Sequence, residues 1–473
     1  MCAMTVCATD DKPREPRRRV RRRALLASAA GCAVLGGVLV LLPWEQQASL
    51  APDAGERALA AVTSGVPAAL PDLEALVGKR ERRVRERPGD AEAWAVLGAA
   101  RVEQGLRLAD PAYWPRAEKA LRTSLKVRAE GNAPALRGLA ALANARRDFA
   151  AARKWGEAAR KLEPKRWTTY PLLIEASAGL GDDEETGRLL ERLKKLRSGP
   201  VAMARAAAVY RDLGRREDAA VKLADAVSAA GEPAERAAYL ERAGQLAWER
   251  GDRQDALRHF RKAVRTDPDQ RAAQAGQGRA LAALGRTAEA LDAYRTALEK
   301  QPRPEYALEL GELYESLGRK RAAGAQYGVV RERVRAAAAH GGDESLVLGR
   351  LEADHGDAKA AVRRLREVWV RQPSTETADA LGWALHRAGK HEEALPFAVR
   401  ATEETQGGGV RSALYAFHRG MIERSLERYG SARRHLKEAL QLNPWFSPLW
   451  APQAKTTLAR LGEPPVQAGP ESD

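Results

Sequence analysis

The residues with the most chemical potential are the seven histidines: His259, His340, His355, His386, His391, His418 and His435. A zinc hydrolase carries its histidines as HExxH on one helical face, and that motif is absent. The nearest approach is His386 and His391, flanked by Glu392 and Glu393. A five-residue spacing puts the two rings on different faces of a helix, and Gly389 between them signals a turn. Thiolate ligands are unavailable to the main body of the chain, because the three cysteines are Cys2, Cys7 and Cys32. There is no GxxxxGK[ST] phosphate loop, and Gly407-Gly408-Gly409 reads as a turn. Neighbouring acids are frequent, but in long charged stretches they read as solvated helix surface. The expectation is a non-enzyme with no catalytic residue, no cofactor and no metal.

The chain that must position any site is helical by composition. Ala, Leu, Glu and Arg dominate, while only five Phe occur. These are helix formers, and the β-branched and aromatic residues that favour sheets are few. The formal net charge of +16 raises the question of nucleic acid. Part of it lies in one short tract before residue 24, and the rest is spread along a mixed-charge surface. That pattern fits a solvated helical face or an affinity for an anionic lipid or polymer, and no nucleic-acid partner is expected.

Two adjacent stretches repeat each other. Residues 237–268 and 271–302 align with a constant offset of 34. Gly244 matches Gly278, Gly251 matches Gly285, Ala256 matches Ala290, Phe260 matches Tyr294, and Pro268 matches Pro302. Glycine inside a helix costs about 1 kcal/mol relative to alanine, so Gly244 and Gly278 make sense where a neighbouring helix needs the space. Phe260 and Tyr294 fill the gap to the adjacent helix. Gly251 and Gly285 suit a left-handed helix end, and the prolines stop the second helix. The same positions recur in phase from Trp94, Leu97 and Gly98 through Gly311, Gly349 and Gly382 to Gly420 and Pro444. Residues 168–198 fit poorly, with Thr186 at the alanine position.

This pattern resembles the tetratricopeptide-repeat family, whose unit is a 34-residue helix–turn–helix. The resemblance implies an all-α fold, a right-handed α-solenoid of about ten units over residues 71–463 including its capping helices. It also implies a binding surface on the first helix of each unit, around its small residue. Those positions are Glu241, Gln245, Trp248, Arg279, Glu312, Glu315, Arg350, Asp379, Trp383, His386, Arg387, Phe417, Met421 and Arg424. Aromatic and arginine side chains are common interface anchors, which directs attention to Trp383, Arg387, Phe417, Met421 and Arg424. The competing reading places Trp383 and Phe417 between units as core.

The amino terminus carries a different signal. Arg17–Arg23 holds six arginines, and Ala24–Leu42 follows without a charge. As a helix those residues span about 28 Å, close to the ~30 Å hydrocarbon core. Pro43 ends it, and Trp44 suits the headgroup layer. The apolar run is long for a cleaved signal peptide and has no small-x-small site after it. Ala29-Ala30-Gly31-Cys32 lacks the leading leucine of a lipobox. The expectation is a cytoplasmic basic tail (1–23), a transmembrane signal anchor (24–44), a flexible linker (45–70), the solenoid (71–463) and a disordered tail (464–473). Basic residues stay inside, so the repeats lie on the extracytoplasmic side. The functional expectation is a membrane-anchored scaffold or adaptor for a protein or peptide partner. The alternative is an envelope-assembly accessory factor that binds an anionic polymer or assists an envelope enzyme.

Overall fold

The computed structural model describes residues 52–403 and 409–462, and the architecture below is that of the unit beginning at Asp53. The expected basic tail, anchor segment 24–44 and carboxyl-terminal tail lie outside the described residues. Among the described residues no helix is long and apolar enough to cross a membrane.

Ten helix pairs follow one another from Ala91–Leu108 with Tyr113–Val127 to Ala413–Ser425 with Tyr429–Leu442. The described residues contain no strand. The central pairs are Pro233–Glu249 with Arg253–Thr266 and Arg271–Ala283 with Thr287–Lys300. Each first helix packs on its own second helix, and each second helix on the first helix of the next unit, as a stack of repeats requires.

The small residues do what their spacing demands. A Cβ added at Gly244 would stand 2.6 Å from the Phe260 ring, and one at Gly278 2.6 Å from the Tyr294 ring. A Cβ at Gly276, on the following first helix, would stand 2.5 Å from the same Phe260 ring. Phe260 is therefore fully enclosed by two units. Burying a side chain of that size contributes about 1.5–3 kcal/mol, more than the intrinsic cost of the helical glycine beside it. Between the helices of a pair, Gly251 and Gly285 adopt φ of 81° and 76°, the left-handed region that glycine enters without a Cβ clash. Asp182, Ser374 and Ser412 cap helix starts by accepting the Glu185, Thr377 and Tyr415 amides.

Three local departures have physical causes. Part of the expected linker is ordered: Ala54–Ser64 is a helix capped by Asp53 and packed through Ala58 and Ala61. Its apolar face consists mostly of alanine, so the periodicity is faint in sequence. Arg57 ties it to Asp72 at 2.7 Å. In the poorly fitting unit, Trp167–Thr169 forms a short 3-10 turn before Tyr170–Gly179, while Thr186 is buried with its hydroxyl on the Asp182 carbonyl. The second helix of the Gly311 unit runs on to Ala339, because no proline stops it before Gly341 turns left-handed. The chain closes on Trp450–Leu461, which covers the apolar face of the last pair.

Candidate partner-binding face

The aromatic half of the expected groove is not free surface. Phe417 is fully buried, and Trp383 and Met421 are 4% and 5% exposed. The Phe417 ring centroid lies 5.7 Å from Trp383, 5.5 Å from Phe446 and 6.1 Å from Trp450. Phe446 and Trp450 belong to the closing segment, which has no counterpart in the repeat. The correction therefore has a local cause: the terminal units have their inner face covered by the chain's own end. Trp248 is likewise buried, at 7%.

Several polar groups around Trp383 have partners within the chain, although His386 Nδ1 and His391 Nδ1 are buried without one. The Trp383 indole N–H donates to Asp354 at 2.8 Å, and its ring stacks on His418 and His386 at 4.1 Å and 5.0 Å. Asp379 lies 2.9 Å from His418 Nδ1. Arg387 reaches the Ala353 carbonyl at 3.3 Å and Asp354 at 3.5 Å, while Arg424 stays exposed. His355 lies against Glu315 at 3.2 Å and stacks on Tyr327. His386 and His391, expected on different faces, have ring centroids 4.7 Å apart, because the Gly389 turn folds the second helix back. Burial, with the nearby His391, His418, Arg387 and Arg424, pushes His386 down to about 3. It is thus neutral and lies near the Arg387 and Arg424 guanidinium groups, a poor setting for a metal ion. Among the described residues no group of three or more His, Cys, Asp or Glu is placed to hold a metal.

What the fold brings together instead is a polar ladder across successive first helices. Arg211 binds Glu249 through two bonds, at 2.7 and 2.6 Å. Gln245 donates to Glu249 at 2.8 Å and accepts from Arg279. Arg279 holds Glu309 at 2.7 Å, and Tyr294 donates to the same carboxylate at 2.8 Å. Glu241 sits beside this ladder with its carboxyl pushed up by burial. A second cluster joins Arg350 to Glu376 at 3.0 Å, with Tyr415 close enough that burial and these carboxylates push its hydroxyl up. Asp212, next to Arg211, is raised to about 6, chiefly by burial. Glu312 is raised as well, again by burial first.

Arg279 and Arg350, both expected on the binding surface, each already have a carboxylate partner. Arg211, Glu249, Glu309, Glu376 and Tyr415 are the members that sequence reasoning missed. Two of them lie close after the small residue of their first helix, where the repeat phase could have found them. Glu249 lies five residues after Gly244, and Arg211 lies four after Ala207, the small residue of its own unit. Glu309 and Glu376 have no such signal, since they come to the ladder from off-register positions.

A tetratricopeptide-repeat family model matches residues 241–303 and 276–333, the stretch that holds most of the ladder. No curated protein matches the chain. Among solved structures, a tetratricopeptide repeat protein from Parabacteroides merdae ATCC 43184 is 19% identical over 56% of this chain and 99% of that one, with a TM-score of 0.33. The APC/C hetero-tetramer Cut9-Hcn1 is 13% identical over 94% of this chain and 95% of its own matched chain, with a TM-score of 0.39. Residues 241–333 are thus similar to tetratricopeptide repeats, and they lie within a longer all-helical array of helix pairs.

Proposed function

We propose that the chain is a membrane-anchored scaffold whose repeats hold a protein partner on the extracytoplasmic side, without catalysis of its own. The observation that carries the binding role is the ladder from Arg211 to Glu309 on the inner faces of consecutive repeats. A surface of this kind selects a partner through charged and amide groups rather than through an apolar anchor, since Trp383 and Phe417 are enclosed. The argument for the anchor is the charge-free run Ala24–Leu42 behind six arginines. Fold alone does not name the partner, because repeat arrays of one architecture bind unrelated ligands.

A pull-down with the intact chain tests the binding role, compared with Arg279→Ala and Glu249→Ala. Retention of a protein by the parent and its loss from both variants is the expected outcome. Equal retention by all three would place the partner elsewhere. Protease added to intact protoplasts tests the topology: the repeats should be digested while a cytoplasmic control survives. Repeats protected beside a digested outer-face control would reverse the orientation. A steep loss of binding to an anionic polymer with rising salt would favour the accessory-factor reading instead.

A further inference from the structure

Beyond residue 200, four second helices end in a polar residue followed by proline: Asp267-Pro268, Gln301-Pro302, Gln372-Pro373 and Asn443-Pro444. The proline stops the helix. The residue before it is buried in all four cases, and a buried polar side chain needs a partner. Each of the four reaches a unit far back along the chain, besides local bonds such as that from the Tyr306 hydroxyl to Gln301 Oε1 at 3.3 Å. Asp267 accepts from Arg107 at 2.6 Å. Gln301 donates to the carbonyls of Leu106 and Arg107, both at 3.0 Å. Gln372 donates to the Arg147 carbonyl at 3.0 Å, and Asn443 to the Trp248 carbonyl at 2.7 Å.

The acceptors share one place in the fold. They lie at or just beyond the carboxyl ends of first helices, where carbonyls lose their intrahelical partners. Three seam contacts share one offset: Leu106 to Gln301, Trp248 to Asn443, and Arg216 to the Arg411 carbonyl each span 195 residues, whereas Arg107 to Asp267 spans 160 and Arg147 to Gln372 spans 225. The shared offset is about six 34-residue units, as expected if a constant rotation per unit brings the array back over itself. One backbone bond crosses the same seam, from the Asp343 amide to the Arg146 carbonyl at 3.0 Å. The first-turn equivalent behaves differently. Glu163, before Pro164, has no earlier turn to reach and bonds Arg137 only 26 residues away.

We propose that the side chain before the terminal proline is a turn-to-turn lock, and that Gln301, Gln372 and Asn443 hold this coil at one fixed pitch. The array is then a closed two-layer body, not a spring that stretches to admit a partner. The amides suit the task because they donate without a charge, so the seam needs no counter-ion at those points.

The test uses the full chain with Gln301→Ala, Gln372→Ala and Asn443→Ala combined. Circular dichroism reports helicity, small-angle scattering reports the radius of gyration, and hydrogen exchange reports the Asp343 amide. The expected result is unchanged helicity, a larger radius and at least tenfold faster exchange at Asp343. Unchanged radius and unchanged Asp343 protection in a fully helical variant would overturn the proposal. Should the triple variant lose helicity, Gln372→Glu decides alone. It keeps the shape, removes the donor and sets a carboxylate against the Arg147 carbonyl. Faster exchange at Asp343 supports the lock, and parental exchange there overturns it. Gln441→Ala, at an exposed position on the last second helix, serves as the control and should leave both readings as in the parent.

Discussion

The turn glycines of the array fall into two groups that are identical in sequence role and backbone shape. Gly181, Gly214 and Gly251 have φ of 65°, 72° and 81°; Gly285, Gly318 and Gly389 have 76°, 72° and 79°. Every one of them ends a first helix in the left-handed region. Their surroundings differ. A Cβ at Gly181 or Gly214 would stand 2.4 Å from the carbonyl oxygen of Pro373 or Gly409, and one at Gly251 would stand 3.2 Å from that of Leu442. A Cβ at Gly285, Gly318 or Gly389 would meet nothing within 4 Å. The first group lies under a second layer, and the second forms an open edge. One glycine therefore serves two constraints in the first group and one in the other.

The comparison needs a scale set by packing inside the units. Phe417→Ala should lose about 3–5 kcal/mol of folding stability, as truncation of a fully enclosed aromatic does. Urea unfolding measures it, and a loss below ~1 kcal/mol would return Phe417 to the groove. Gly278→Leu comes next, because its side chain must displace the Tyr294 ring, at a cost of ~1–3 kcal/mol or more. An unchanged midpoint would mean the close approach at Gly278 is not real.

The two glycine groups are then separated directly. Gly214→Ala and Gly318→Ala share the left-handed strain, about 1–2 kcal/mol. Only Gly214→Ala also drives a methyl into a backbone carbonyl, which cannot swing aside as a side chain does. Its loss should exceed that of Gly318→Ala by at least ~1 kcal/mol, and equal losses would dissolve the distinction.

The smallest expected effect concerns the seam's charges. Glu344 lies 3.6 Å from Arg147, and burial pushes its carboxyl up to about 7. A raised carboxyl pKa means the native state binds the proton more tightly than the unfolded chain. That contribution is complete below the ordinary value of 4.5 and is lost as pH rises through 7. Glu344→Gln should therefore raise the melting temperature relative to the parent at pH 8 more than at pH 5. The opposite order would show that the Arg147 ion pair outweighs the burial of the charge.

Much of the fold was legible because its contacts are local. Gly244 with Phe260 and Gly278 with Tyr294 meet within one helix pair, so a 34-residue period in the residue types reports them. The ladder was half legible for the same reason. Gln245 and Arg279 follow the small residue in register, but Glu309 and Glu376 approach from outside that register. The helix Ala54–Ser64 escaped notice because a face of alanines carries little contrast in hydropathy.

By itself, then, the sequence determined the helices, their turns and the phase of the repeat. Each of these depends on residues within about one repeat length. Two matters were decided only by tertiary structure. Trp383 and Phe417 became core because Phe446 and Trp450 of the closing segment cover a face that the repeat phase leaves open. Gln301, Gln372 and Asn443 became partners of carbonyls 194 to 225 residues away. Such a pairing depends on the rotation accumulated over about six units. A few degrees per unit, summed along the array, decide which helix end lies over which, and no local pattern records that sum.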